Sequence, residues 1–103
     1  MKLAEYQQFT REGLATDIDK KDRLPYFALG LSGEVGELNN MLTKKHFRKK
    51  LIPMDDIVSE IGDVMWYLTN VCNALDVDLV TVCTMNQIKL HARHSDKYVK
   101  ENE

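Results

Sequence analysis

Hydrophobic residues recur along this chain at spacings of three and four, the mark of helices with one buried side. The clearest run lies between Met54 and Leu75. There Ile57, Ile61, Val64, Leu68, Val71, Cys72 and Leu75 share one face of a 3.6-residue wheel, which predicts a helix with that face in the core. A second stripe, Glu60, Asp63, Tyr67 and Asn70, runs along one border of this face. Trp66 falls on the opposite side, where it suits a subunit interface, a base-stacking wall or wider packing of the core.

Another helix is predicted from Pro25 to Lys44, because Phe27, Leu31, Val35, Leu38 and Leu42 fall within one arc, bordered by Glu34 and Glu37. Pro25 fits a first turn, where its missing N–H is not needed. Gly30, Gly33 and Gly36 recur at every third position, and each costs about 0.8–1 kcal/mol relative to alanine in a helix interior. Close approach of another helix or of a ligand would offset that cost; the alternative is that Gly30 marks a kink or a break.

The ends of the chain are less regular. Lys2 to Ile18 reads as a loosely amphipathic helix with Leu3, Tyr6, Phe9 and Leu14 on its apolar side, followed by a polar connector from Asp19 to Arg23. Asp76 or Asp78 can cap a last helix from Leu79 to His94. Its apolar arc holds Leu79, Val82, Cys83 and Leu90, but also Asn86, a polar residue that would need partners there. Lys89 and Arg93 follow on the Asn86 side, and the polar tail from Ser95 to Glu103 is expected to fray. Residues 1–103 thus read as a single all-α domain, a bundle of four to five helices.

Length and composition narrow the picture. At 103 residues a lone hydrophobic core is adequate but not generous, so self-association would help. With 44% hydrophobic and 29% charged residues the chain suits a soluble globular protein, and a net charge of -2 argues against a general nucleic-acid surface. No apolar run is long enough to span a membrane and the N-terminus lacks a signal-peptide core, so a cytoplasmic location is expected. Cys72 and Cys83 lie in apolar helical patterns and read as reduced core residues; there is no CxxC for zinc. His46, His91 and His94 suit surface roles. The one strongly basic run, Lys44 to Lys50, suits either the end of a helix dipole or the attraction of phosphates.

The chemistry lies in the acidic residues. Glu34 and Glu37, like Glu60 and Asp63, are three residues apart, which on a helix puts them about 60° apart around the axis and one turn removed. Either pair alone is ordinarily a source of salt bridges. Two pairs bordering apolar faces, with glycines beside them, favour a shared site. Four carboxylates gathered together repel one another unless cations compensate. An all-oxygen set suits Mg²⁺ or Mn²⁺ and not zinc, and a di-iron bundle would want a Glu-x-x-His motif that neither pair has. An acidic metal cage near Asn86, Lys89 and Arg93 points to a polyphosphate substrate.

Taken together, these residues resemble the MazG-type all-α nucleoside triphosphate pyrophosphohydrolases. The hallmark is ExxE, a variable gap, then ExxD, here Glu34 to Glu37, an interval of 22 residues, and Glu60 to Asp63. The stretches Leu29 to Leu38, Glu60 to Leu68 and Asn86 to Arg93 are similar to the family's three blocks. The resemblance implies a MazG-like bundle assembled as a dimer or a dimer of dimers. It implies Mg²⁺-dependent cleavage between the α and β phosphates, releasing a nucleoside monophosphate and pyrophosphate, in nucleotide-pool control or house-cleaning. Glu34, Glu37, Glu60 and Asp63 would be metal ligands and catalytic residues, one glutamate also orienting the attacking water. Asn86, Lys89 and Arg93 would contact the nucleotide, with Tyr67 beside the sugar or base. The alternatives are a noncatalytic helical module that senses nucleotide or binds a protein, and a pyrophosphohydrolase of a phosphoribosyl-nucleotide.

Overall fold

A computed structural model describes residues 1–13 and 18–94. Among these residues the chain forms four α-helices and no strand: α1 (Leu3–Glu12), α2 (Arg23–Phe47), α3 (Met54–Ala74) and α4 (Leu79–Arg93), with a single 3₁₀ turn (Lys20–Asp22) before α2. The all-helical reading holds. Leu14, placed on the first helix by its spacing, and the tail after His94 lie outside the described residues.

The centre of the molecule is the pair formed by α2 and α3. Phe27 meets Trp66 and Tyr67, Gly30 lies beneath Tyr67, and Glu34 interacts with Glu60, so residue numbers rise on one helix as they fall on the other: the pair is antiparallel. α2 starts two residues before Pro25 and runs three residues past Lys44. It stays one helix through all three glycines, so Gly30 does not mark a break. A Cβ on Gly30 would sit inside the Tyr67 ring, which accounts for the glycine there. Gly33, Gly36 and Gly62 are different, because a Cβ on any of them would meet nothing within 4 Å.

These contrasting surroundings give opposite expected outcomes. Gly30→Ala should destabilise by about 1–3 kcal/mol, since Tyr67 must leave its place. Gly62→Ala should stabilise by about 0.5–1 kcal/mol through helix propensity alone. Thermal midpoints of the two variants should therefore move in opposite directions; a shift of the same sign in both would refute this account.

The buried faces differ from those the periodicity predicts. On α3 only Ile57 and Cys72 of the apolar stripe are buried, whereas Ile61, Leu68 and Leu75 are 46%, 36% and 52% exposed. Thr69 and Asn70 are fully buried instead, and Glu60 and Tyr67 are half-buried. The reason is what the neighbours offer. α2 meets α3 along the border stripe of Glu60, Tyr67 and Asn70, and α1 brings polar residues rather than apolar ones. Trp66 accordingly packs inward: its ring meets Phe27 edge-on at 5.7 Å, the wider core packing among the roles its position allowed. On α2 Phe27 is buried, while Val35 and Leu42 stay exposed.

On α1 the inner side is Gln7 and Thr10, and Phe9 is 61% exposed, contrary to its expected core position. Gln7 donates to Asn73 Oδ1 (2.9 Å) and to the Val77 carbonyl (3.0 Å), and its Oε1 accepts the Leu79 N–H (2.8 Å). Asn73 in turn donates to Thr10 Oγ1 and Asn70 Oδ1. This network satisfies buried amides that would otherwise be costly. It also does the work expected of a capping aspartate: Asp78 occupies the N-cap of α4 but makes no capping bond, and the Gln7 amide takes over one of the orphan N–H groups. Asp76, the other candidate, sits at φ 57° in the turn before it.

α4 packs on α1 and leaves Val82, Met85 and Ile88 exposed. Cys83 is exposed too, so of the two cysteines only Cys72 is in the core. The resulting shape is open. The radius of gyration is 16.8 Å, against about 13 Å for a compact chain of this length. The accessible surface is 7912 Å², against about 6,000 Å² for a folded monomer of this mass.

Candidate metal centre

The antiparallel α2 and α3 bring the acidic motifs together across the seam between them. Carboxylate oxygens of Glu34, Glu37 and Glu60 all lie within 4.8 Å of one another. Glu34 and Glu60 are half-buried and Glu37 is exposed, so the cluster opens to solvent on one side. Glu34 Oε2 and Glu60 Oε1 are buried and receive no hydrogen bond from the protein. Two such carboxylates can satisfy each other only by sharing a proton. That bond with Glu34, helped by burial and by the charges of Glu34 and Glu37, pushes Glu60 up to about 7.

Orphaned, mutually repelling oxygens on three carboxylates fit a divalent cation, and the donor set suits a hard one. Asp63 is not part of the three-residue cluster. It is exposed, one turn along α3, and contributes to the surroundings of two phenols: burial first and then the Asp63 charge push Tyr6 upward, and burial, Tyr26, Glu34 and lastly Asp63 do the same to Tyr67. The Tyr67 ring lies over Gly30, beside the carboxylates as its place on the border stripe implies. Tyr6 is a neighbour that periodicity does not reveal, because it arrives from α1, more than fifty residues away in sequence.

The α4 residues stand apart. Asn86 and Lys89 line an open groove with Val82 and Met85, and among the described residues no hydrogen bond or ion pair joins Asn86, Lys89 or Arg93 to the carboxylates. Asn86 is exposed and so does not need the buried partners expected of it.

The raised Glu60 gives a pH expectation with a definite sign. Between its ordinary value of 4.5 and about 7 the folded chain holds a proton that the unfolded chain has lost. The associated stability is complete below 4.5 and is lost as pH rises through 7. Metal-free protein should therefore melt at lower temperature at pH 8 than at pH 6. Added Mg²⁺ should raise the midpoint more at pH 8, because binding must displace the shared proton at the lower pH. Thermal scans with chelator and with metal at both pH values check this; a metal effect independent of pH would contradict it.

Comparison with known proteins agrees with this geometry. Residues 26–98 match the family model described as the MazG nucleotide pyrophosphohydrolase domain, a span that includes all three carboxylates, Asp63 and the whole of α4. The chain is also 44% identical over 84 residues to the Gene 37 protein of Mycobacterium phage L5, an alignment covering 77% of this chain and 73% of that protein. No solved structure matches. No described helix is long and apolar enough to cross a membrane. An acidic seam built from ExxE on α2 and ExxD on α3, within an all-helical chain matched over most of its length, places this protein in the MazG nucleotide pyrophosphohydrolase domain family.

Proposed function

We propose that the protein is a Mg²⁺-dependent nucleoside triphosphate pyrophosphohydrolase that cleaves between the α and β phosphates, releasing a nucleoside monophosphate and pyrophosphate. The observation that carries this reading is the convergence of Glu34, Glu37 and Glu60, with buried oxygens that no protein donor satisfies. Asp63, one turn from Glu60, completes the ligand set by a side-chain rotation. A bound divalent ion supplies charge neutralisation for the phosphates and lowers the barrier to attack by water. The chain's own carboxylates hold that ion, and one glutamate orients the water. Tyr67 borders the sugar or base.

In this reading the working unit is a dimer or a dimer of dimers. The open shape, the exposed Ile61, Leu68 and Leu75 on α3, and the exposed Val82, Met85 and Ile88 on α4 support it. A standard interface removes about 800 Å² from each partner, well within the excess surface of this chain. A second copy would cover these faces, and its α4 would bring Asn86, Lys89 and Arg93 to the phosphates. Nucleotide-pool control in the cytoplasm suits such an activity.

The test is a screen of common, deoxy and damaged nucleoside triphosphates with Mg²⁺, scored separately for pyrophosphate and phosphate. Pyrophosphate with monophosphate is the expected product pair. Phosphate as the sole primary product would overturn the bond assignment, and stoichiometric nucleotide binding without turnover would favour a noncatalytic sensor.

A further inference from the structure

The end of α2 and the start of its connection to α3 concentrate positive charge in a way that the fold does not require. Lys44, Lys45, Arg48, Lys49 and Lys50 fall within seven residues, with His46 among them. Among the described residues none of the four lysines and one arginine makes an ion pair, and all but the half-buried Lys44 are exposed. The backbone gathers them. Arg48 N–H and Lys50 N–H both donate to the Lys44 carbonyl (3.1 and 3.3 Å), and Lys49 adopts φ 55°, so the chain curls around the end of α2. A left-handed lysine is uncommon and has a cost. The negative end of a helix dipole amounts to about half a charge, which one cation would answer. Five crowded cations exceed that need and repel one another.

Position indicates what they answer instead. Glu34, Glu37 and Lys44 are spaced by three and seven residues, which puts them along one side of α2, with Lys44 about 10 Å beyond Glu37. That separation is close to the screening length at moderate salt, so the field of the loop reaches the carboxylates. Three clustered carboxylates repel a polyphosphate anion that approaches them. A cationic loop one screening length away draws it in. A long polyanion fits less well, because the patch is a single loop and the acidic seam beside it would repel the strand running on.

We propose that Lys44–Lys50, the last turn of α2 with the start of the loop after it, is an electrostatic docking patch for the phosphate chain of the incoming nucleotide, a reading that rests on the triphosphate-hydrolase assignment above. The test compares wild type with the double variant Lys45→Glu, Lys49→Glu at about 0.01 M and about 1 M ionic strength, where the screening length is about 30 Å and about 3 Å. The substrate is the best one from the nucleotide screen. The variant should show kcat/KM about tenfold lower at low salt with kcat unchanged, and the difference should vanish at high salt. Equal kcat/KM at low salt, or a loss that persists at high salt, would overturn the proposal.

Binding of inorganic tripolyphosphate to both proteins separates the two readings. Salt-sensitive binding lost in the variant supports the patch even if the wild type hydrolyses no nucleotide, in which case the hydrolase assignment alone has failed. A single-stranded oligonucleotide that binds the wild type more tightly than tripolyphosphate does, through the same lysines, would overturn the assignment to a short phosphate chain.

Discussion

Glu37→Gln is expected to lower the rate of pyrophosphate release by about 10²–10³-fold, the scale of removing one charged group that acts on the transition state. The substitution leaves the shape of the side chain unchanged, and Glu37 is exposed, so no core contact is lost. It removes one of three charges within 4.8 Å, and the new amide can donate to a neighbouring carboxylate. The metal-free variant should therefore melt at or above the wild-type temperature while activity falls. Loss of activity together with gain of stability separates a functional acid from a structural one. Asp63→Asn should also lose turnover, and wild-type rates in both variants would refute the metal assignment.

Gln7→Leu is the largest expected stability effect away from the carboxylates. Leucine fills similar space but leaves Asn73 Oδ1, the Val77 carbonyl and the Leu79 N–H without their partner. Each orphaned group costs roughly 1–3 kcal/mol when fully buried, and because two of these three bonds are only partly buried the total is expected at the low end, about 3–5 kcal/mol. A domain of this size has about 5–15 kcal/mol in all, so the midpoint in urea should fall by a large fraction. Thr10→Val, which removes only the acceptor for Asn73, should cost less. A Gln7→Leu cost below about 1 kcal/mol would show that water replaces the network in solution.

The helices and acidic motifs were legible in the sequence because each is written within a few turns. The 3.6-residue period located α2, α3 and α4 to within three residues at each end, and the three-residue spacing put Glu34, Glu37 and Glu60 on facing sides of one seam. What the period could not reveal is which face each helix buries. That choice depends on the partner: the polar inner side of α1 takes the Thr69 and Asn73 side of α3, leaving Ile61 and Leu68 outside. For the same reason the period left the role of Trp66 open, since its neighbour Phe27 lies on another helix. Gln7 as a surrogate cap for α4 was invisible, because a glutamine in a helix carries no mark of a partner 72 residues away.

The Gln7 network also bears on the order in which the chain assembles. α2 and α3 are joined by only six residues, so their antiparallel contacts close short loops and are expected to form early. The bonds from Gln7 to Asn73, Val77 and Leu79 span 66, 70 and 72 residues and fix α1 to the start of α4. Closing so long a loop is expected late, after the rate-limiting barrier. Gln7→Leu should then speed unfolding while hardly slowing folding, and stopped-flow measurement of both rates would show it. During synthesis α1 leaves the ribosome before the other three described helices, yet the residues it bonds, Asn73, Val77 and Leu79, follow Gln7 by 66, 70 and 72 positions. Of the four described helices, the first translated is then the last fixed in place.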